Sequence, residues 1–413
     1  MRGFRSKIQH LPYFEALSVM EENTPEWRCT SAGLVALRLF DRWVTDDASA
    51  VAADLWTTRA VRDAIAEIQL WNPIRAVLTS MVDAMERSLE IRMAVIAPRL
   101  MAYGRSLEFD AKWPLAADVY RTVLSHAHPV DDAEIVVSAN MRLGACLRLL
   151  AEWEEAEEAY VTAGEVAELA GDVMNVLRSR IAEANVAMDR GNLPEAESIL
   201  DETLDQATGP ELAEVRALAL QDRAHVAHLR GDYELSIRMA YEALSGLKGS
   251  TARDRALAGL AASFSELGVR SAARDANLIL AATAQEQYVR WAATLNLLEI
   301  AGLDQMEPAF EQYRRELSQA ALPPMMAAHY HYYLAQGYRL FGKTDLAITE
   351  LERAVEISAA HQINQILIKA ESTLLEVNAG KKIKGNAALE VPPPMAHVAA
   401  AVRDMRVAAG VTG

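Results

Sequence analysis

The sequence predicts an all-α protein, and three observations carry that expectation. Residue choice leans to Ala, Leu, Glu and Arg, which lose little freedom in a helix. Aromatic residues are 6 % of the chain, with only 20 glycines and 14 prolines among 413 residues, which argues against a sheet-rich fold. Apolar residues recur at helical spacing, as in "VSANMRLGACLRLL" from Val137 to Leu150. About half of the chain is apolar, so it can bury a substantial core and is not a disordered tail.

The charge balance narrows the partners. Acids number 57 against 41 bases, for a formal charge of −16, and such a chain repels phosphate backbones. Nucleic acid is not an expected partner. Cys29 and Cys146 form no C-x-x-C, which suits a reducing compartment and disfavours a disulfide framework or a thiolate zinc site. The start, "MRGFRSKIQHLPYFEAL", is basic but lacks the apolar stretch of a secretory signal, and no apolar run reaches the ~18 residues of a membrane span. No membrane partner is expected, and the expected place is the cytoplasm.

Residues 1–95 read as helical, with nearly balanced charge. In "NTPEWRCTSAGLVALRLFDRWV", Thr24 can cap a helix and Pro25 suits its first position. "DDASAVAADLWTTRAVRDAIAEI" and "NPIRAVLTSMVDAMERSLEIRM" follow with comparable signals. Ala76 lies 40 residues before Ala116, so this N-terminal helical cap can include one degenerate repeat. A helix-turn-helix reader is the rival reading; the balanced charge and the lack of a basic recognition helix count against it.

From residue 96 to about 375 the chain repeats. "AKWPLAADVY", "AEWEEAEEAY", "GNLPEAESIL" and "GDYELSIRMA" begin at Ala111, Ala151, Gly191 and Gly231, each offset by 40. Trp113, Trp153, Leu193 and Tyr233 fall in one column; Ala116, Ala156, Ala196 and Ser236 in a second; Tyr120, Tyr160, Leu200 and Ala240 in a third. The register recurs at "GVRSAARDAN" from Gly268, at "LDQMEPAFEQY" with Ala309 in the small column, and at "FGKTDLAITELERAV" with Ala347, giving seven units. A helical recurrence of this length marks a solenoid of helix pairs.

The turn between the two helices of a unit carries Gly191, Gly231, Gly268 and Gly342, each suited to a left-handed residue past a helix end. Ala111 and Ala151 replace it in two units, which predicts tighter or differently capped turns there. This settles the tripeptide Arg230-Gly231-Asp232: a helix end, a turn and a helix start, not an adhesion loop.

Leu143-Gly144, Trp153, Ala156, Tyr160 and Ala163, in that order, resemble the tetratricopeptide repeat, as do Ala335, Gly342, Ala347, Leu351 and Ala354. The period, 40 early and nearer 37 later, exceeds that family's usual length, so the likeness is to its lengthened type, similar to bacterial peptide-sensing regulators and helical sensor domains of signalling ATPases. The resemblance implies a right-handed superhelical solenoid of antiparallel helix pairs whose first helices line a concave groove. Counting back from the small-residue columns puts Arg105 and Glu108 on that face in the first unit, Met141 and Arg148 in the second, and Arg178 and Asn185 in the third. Gln221, His225 and His228 follow in the fourth, and His329, Tyr332, Gln336 and Arg339 in the last. Such a lining suits an extended peptide or a partner's helix, with Arg and Asn anchoring backbone or carboxylates and Met and Tyr supplying apolar contact. The family's clamp for chaperone tails needs lysines that are missing here, although Asn185 meets one of its positions.

Signatures of catalysis are missing: no G-x-S-x-G, P-loop, H-E-x-x-H or dinucleotide fingerprint occurs. His225 and His228 have a chelating spacing but no obvious third ligand. Half of "HYHYYL", residues 329–334, reads as core packing, and His126 and His128 as solvated loop residues. The expectation is a non-enzymatic scaffold or adaptor without cofactor or bound metal; the alternatives are a peptide-responsive regulator and, behind it, a metal protein or enzyme. Self-association is compatible with all of these. Residues 376–413, with Lys381, Lys382, Lys384 and Pro392 to Pro394, read as a linker and one short helix.

Overall fold

The computed structural model describes residues 9–45, 55–87, 93–381 and 389–412. Lys382, Lys384 and the start of the "DDASAVAADLW" segment lie outside the described residues. Among those described there are twenty α-helices and no strand. The cap holds α1 (Leu11–Val19), α2 (Pro25–Thr45), α3 (Leu55–Ala66) and α4 (Pro73–Arg87). The repeats follow as pairs: α5 (Met93–Phe109) with α6 (Trp113–His126), α7 (Ala133–Leu149) with α8 (Trp153–Leu169), and α9 (Val173–Asp189) with α10 (Leu193–Gln206). Next come α11 (Ala213–Leu229) with α12 (Tyr233–Gly246), α13 (Ser250–Glu266) with α14 (Arg270–Thr283), α15 (Gln287–Leu303) with α16 (Glu307–Ser318), and α17 (Pro324–Leu340) with α18 (Thr344–Ala360). Helices α19 (Asn364–Asn378) and α20 (Ala396–Ala408) complete the chain. Its contacts divide it into two compact units, residues 1–206 and 207–413.

Each of the seven first helices is 17 residues long, and a three-residue turn follows each one. The second helices run from 12 to 17 residues, and the links after them also vary. Spacing between successive first helices is therefore 40 residues up to α11, 37 up to α17, and 40 again to α19. All the irregularity in period lies in the second helix and the link that follows it.

The turn is one device used seven times. Its middle residue is left-handed, and its amide and the next donate back to carbonyls of the first helix. Gly231 has φ 81°, the Gly231 amide reaches the His228 carbonyl at 2.9 Å, and the Asp232 amide that of Ala227 at 2.9 Å, a Schellman closure. The Asp232 carboxylate then accepts from the Leu235 amide at 3.1 Å and caps α12. Ala111 and Ala151 make the same closure at φ 55° and 58°, as does Gln305 at 56°. The alanine turns are thus neither tighter nor differently capped. They carry the strain of an L side chain in a left-handed conformation, about 1 kcal/mol.

In the first unit, Ala116, Tyr120, Cys146, Ala156, Tyr160 and Val186 join one apolar core with the cap. Gly104 and Gly144 are there to house rings: a Cβ would stand 2.6 Å from Tyr120 or Tyr160 respectively. Thr24 caps α2 through the Trp27 amide at 3.3 Å. The cap seats on α6 through His10, whose ring meets Asp118 at 2.7 Å and Asp41 at 3.0 Å. His126 lies beside Asp41 at 3.4 Å and edge-on to Phe40, so it is not a solvated loop residue; it closes α6 against the cap. Burial opposes charge on His10, but the two carboxylates outweigh it and raise its pKa to about 9. Burial likewise opposes charge on Asp41, and His10 and His126 hold it down at about 2. Both ions persist across the neutral range.

In the second unit two features depart from a plain array. The small-residue position of the α15/α16 pair belongs to Phe310, not Ala309: the Phe310 amide bonds the Met306 carbonyl as the Ala347 amide bonds that of Lys343. Its ring is accommodated by glycines; a Cβ on Gly337 would lie 2.3 Å from it, and one on Gly302 3.4 Å. Helix α17 accordingly packs chiefly on α15 and hardly touches α16, unlike α13 on α12 or α15 on α14. The other departure is α20, which folds back onto α14 and α12. Met395, Val398 and Val402 are fully buried there, and Arg406 meets Asp275 at 3.0 Å. The Leu389 amide donates to the Gly268 carbonyl at 3.1 Å. Leu278 and Ile279 are buried on α14, at the positions where α8 carries the exposed Val161 and the half-buried Thr162.

Candidate functional site

Seven first helices of equal length give each column a fixed place, so positions in different repeats can be compared directly. In the first unit Arg105 is exposed on α5. Three residues on the way to α9 are partly or wholly committed to the fold. Glu108 accepts from the Tyr120 hydroxyl and from Arg142 at 3.1 Å. Met141 packs on the core. Arg148 reaches Asp189 at 2.6 Å, while its Nε is buried without a partner. Arg178 and Asn185 are partly exposed on α9. Of the predicted residues of this unit, Arg105 and Arg178 therefore offer polar groups outward, whereas Asn185 has a partner within the fold.

In the second unit Gln221 is 6 % exposed, and its Oε1 has no partner. His225 is exposed, its ring stacked on that of His228 at 6.5 Å and 7°. His228 Nδ1 lies 2.9 Å from Ser263 Oγ, which lies 2.9 Å from Ser236 Oγ. Burial and the neighbouring His225 lower the His228 pKa, so its ring is neutral near pH 7. The two serines are sealed in the helix interface, at 0 % and 2 % exposure, where no substrate reaches them. Among the described residues no three His, Cys, Asp or Glu side chains are placed to hold a metal ion. Both cysteines are buried, and burial pushes the Cys146 thiol up to about 12.

The last repeat forms a polar chain. Gln336 donates to the Tyr332 hydroxyl at 2.9 Å and accepts from Arg339 at 3.3 Å. Arg339, whose side chain is 7 % exposed, also reaches Glu376 on α19 at 3.4 Å. Tyr332 packs against Ala335 and Leu351. His329 Nδ1 faces the Met325 carbonyl at 2.9 Å, and its ring stands 5.8 Å from Tyr333. Half of "HYHYYL" is core or bonded across the repeat: Tyr330 is 7 % exposed and His331 meets Glu350 at 2.6 Å.

With Phe310 as the small-position residue, Glu299 takes the column of Asn185, His225 and Gln336 on the first-helix face. The sequence reading names no face residue for this repeat, and counting back from Ala309 leads to Leu298 instead. Glu299 hydrogen bonds with Tyr333 on α17 and feels Lys369 on α19 and Glu266 on α13. Burial pushes its pKa up to about 7, against the pull of Lys369 and the Tyr333 bond. Lys369 is exposed. The signal that could have revealed Glu299 was Gln305, two residues ahead of α16 where other repeats place the turn glycine.

The geometry defines an all-α array of antiparallel helix pairs with a polar, partly aromatic run on its first-helix face. No family model matches the sequence, and no curated protein matches it. Among solved structures, the apo form of the quorum sensor NprR from B. thuringiensis aligns at 12 % identity and TM-score 0.38, covering 89 % of this chain and 92 % of that one. A Rap protein complexed with Competence and Sporulation Factor aligns at 12 % identity and TM-score 0.35, covering 86 % and 99 % respectively. Neither alignment assigns a role to any residue here.

Proposed function

We propose that this chain is a non-enzymatic, tetratricopeptide-like protein that holds a peptide or a helical segment of a partner on its first-helix face, as a scaffold or a peptide-responsive regulator. The observation that carries this reading is the run from His225 through Glu266, Glu299 and Tyr333 to Lys369, which crosses five successive first helices of one unit. A polar lining continuous over several helices fits an extended ligand better than a small substrate. Buried serines and cysteines and the lack of a metal-ligand group among the described residues favour binding over catalysis. The acidic charge disfavours nucleic acid, and no helix among those described is long and apolar enough to cross a membrane. A cytoplasmic protein with residues 1–95 as cap, 96–375 as array and 376–413 as tail is the matching organisation, and self-association is compatible with it.

The test is selection from a displayed library of short peptides, with full-length wild type beside a His225→Ala, His329→Ala, Lys369→Glu variant whose helical circular dichroism is unchanged. Sequences enriched by wild type and lost by the variant support the reading. Enrichment that the variant retains removes the first-helix face of this unit as the site. A change of radius of gyration on binding distinguishes a regulator from a scaffold.

A further inference from the structure

The docked C-terminal helix makes something besides a brace. Between α12, the first turn of α13 and α20 lies a cleft of about 640 Å³, within the size range of small-molecule sites. Arg238 on α12, Arg253 on α13 and His397 on α20 all line it. These basic side chains converge from three helices in a protein whose net charge is −16. The one acid among the lining residues, Glu242, is directed toward Arg216 at 3.5 Å. Arg253 uses one nitrogen on the Leu244 carbonyl at 3.0 Å, which closes the end of α12 and fixes its guanidinium in the wall. Arg238 is exposed and has no ion pair among the described residues. Tyr241 stands edge-on to His397 at 6.0 Å, and Met405 supplies an apolar patch beside them.

We infer that this cleft binds a small molecule with an anionic group on an aromatic or apolar body, the anion facing Arg238, Arg253 and His397 and the body resting on Tyr241 and Met405. Guanidinium and imidazole N–H donors suit phosphate and carboxylate alike, and the adjoining ring and thioether suit a flat apolar body. One wall belongs to α20, so the ligand and the C-terminal helix hold each other in place. The site lies on α12, the first turn of α13 and the tail, away from the run from His225 to Lys369, and its occupation does not depend on peptide binding there.

Isothermal titration of the full chain with phenyl phosphate, benzoate and inorganic phosphate tests this. The expected result is saturable binding of phenyl phosphate or benzoate, tighter than that of inorganic phosphate; which of the two binds separates a phosphate ligand from a carboxylate one. Arg238→Glu should weaken that binding roughly tenfold or more, and His397→Ala several-fold. Arg353→Glu, at an exposed arginine on α18, should leave it unchanged. Bound ligand should also slow amide exchange in residues 396–408. No saturable heat up to about 10 mM of any probe, or equal weakening by Arg238→Glu and Arg353→Glu, overturns the assignment.

Discussion

The α7/α8 repeat and the α15/α16 repeat solve one packing problem in opposite ways. In the first, Ala156 stands at the small position, and the residues corresponding to Gly302 and Gly337 are Arg148 and Val186. In the second, Phe310 stands there, and both facing residues are glycine. Volume taken from one helix is given to its neighbours, so the interface stays filled while α17 comes close to α15. The lesson is that the column conserves total volume across three helices rather than residue size at one of them.

The largest test of that statement is Phe310→Ala. It restores the small residue of the other repeats, yet it should cost about 3–5 kcal/mol, because two glycines leave the vacated space unfilled. Chemical denaturation measures it; a loss below about 1 kcal/mol would mean that α16 collapses inward and the volume rule fails. Ala156→Leu is the reverse error, adding bulk where Val186 already fills the interface, and should cost about 1–3 kcal/mol by the same measurement.

A third test uses Glu299, the carboxyl that the α15/α16 repeat carries in the column of Asn185, His225 and Gln336. Glu299 is held near pKa 7 in the fold, against an ordinary value of 4.5. Between those values the folded chain binds the proton that the unfolded chain has released. Stability contributed by Glu299 therefore falls as pH rises from about 5 to 8, by on the order of 1–2 kcal/mol. Glu299→Gln should flatten that slope in thermal melts taken across the range. The smallest test concerns the turns. Ala151→Gly should stabilise by about 0.5–1 kcal/mol by relieving a left-handed alanine, and Gly231→Ala should destabilise by a similar amount. Equal melting temperatures for wild type and Ala151→Gly would show that the turn's hydrogen bonds, and not its backbone conformation, set its cost.

Much of the fold is legible in the sequence because it is written in residues that recur. Gly231 and Asp232 declare their turn, and Ala116, Ala156 and Ala347 declare the register. What the sequence hides is compensation. Phe310 makes sense only beside Gly302 and Gly337, which lie on two other helices, so the repeat was read one residue early and Glu299 was passed over. The candidate face was legible as a set of columns, but not as a set of free side chains. Glu108, Arg148 and Arg339 sit on the counted columns and spend their polar groups on Tyr120, Asp189 and Glu376. Long side chains reach neighbours in the next repeat, and periodicity within one helix carries no record of that. Nor does it show that Val398 and Arg406 meet α14.

That last contact governs the order in which the molecule can be made. Helix α14 emerges from the ribosome long before α20, with Val398 and Val402, exists to pack on it. Until α20 is synthesised, a nascent chain leaves uncovered the surface of α14 on which it packs, the kind of surface that chaperones engage. Most helical repeats close with their immediate successors; here the middle of the second unit stays unfinished until α20 is made. A premature stop near the C-terminus would injure the protein far from the place where the chain ends.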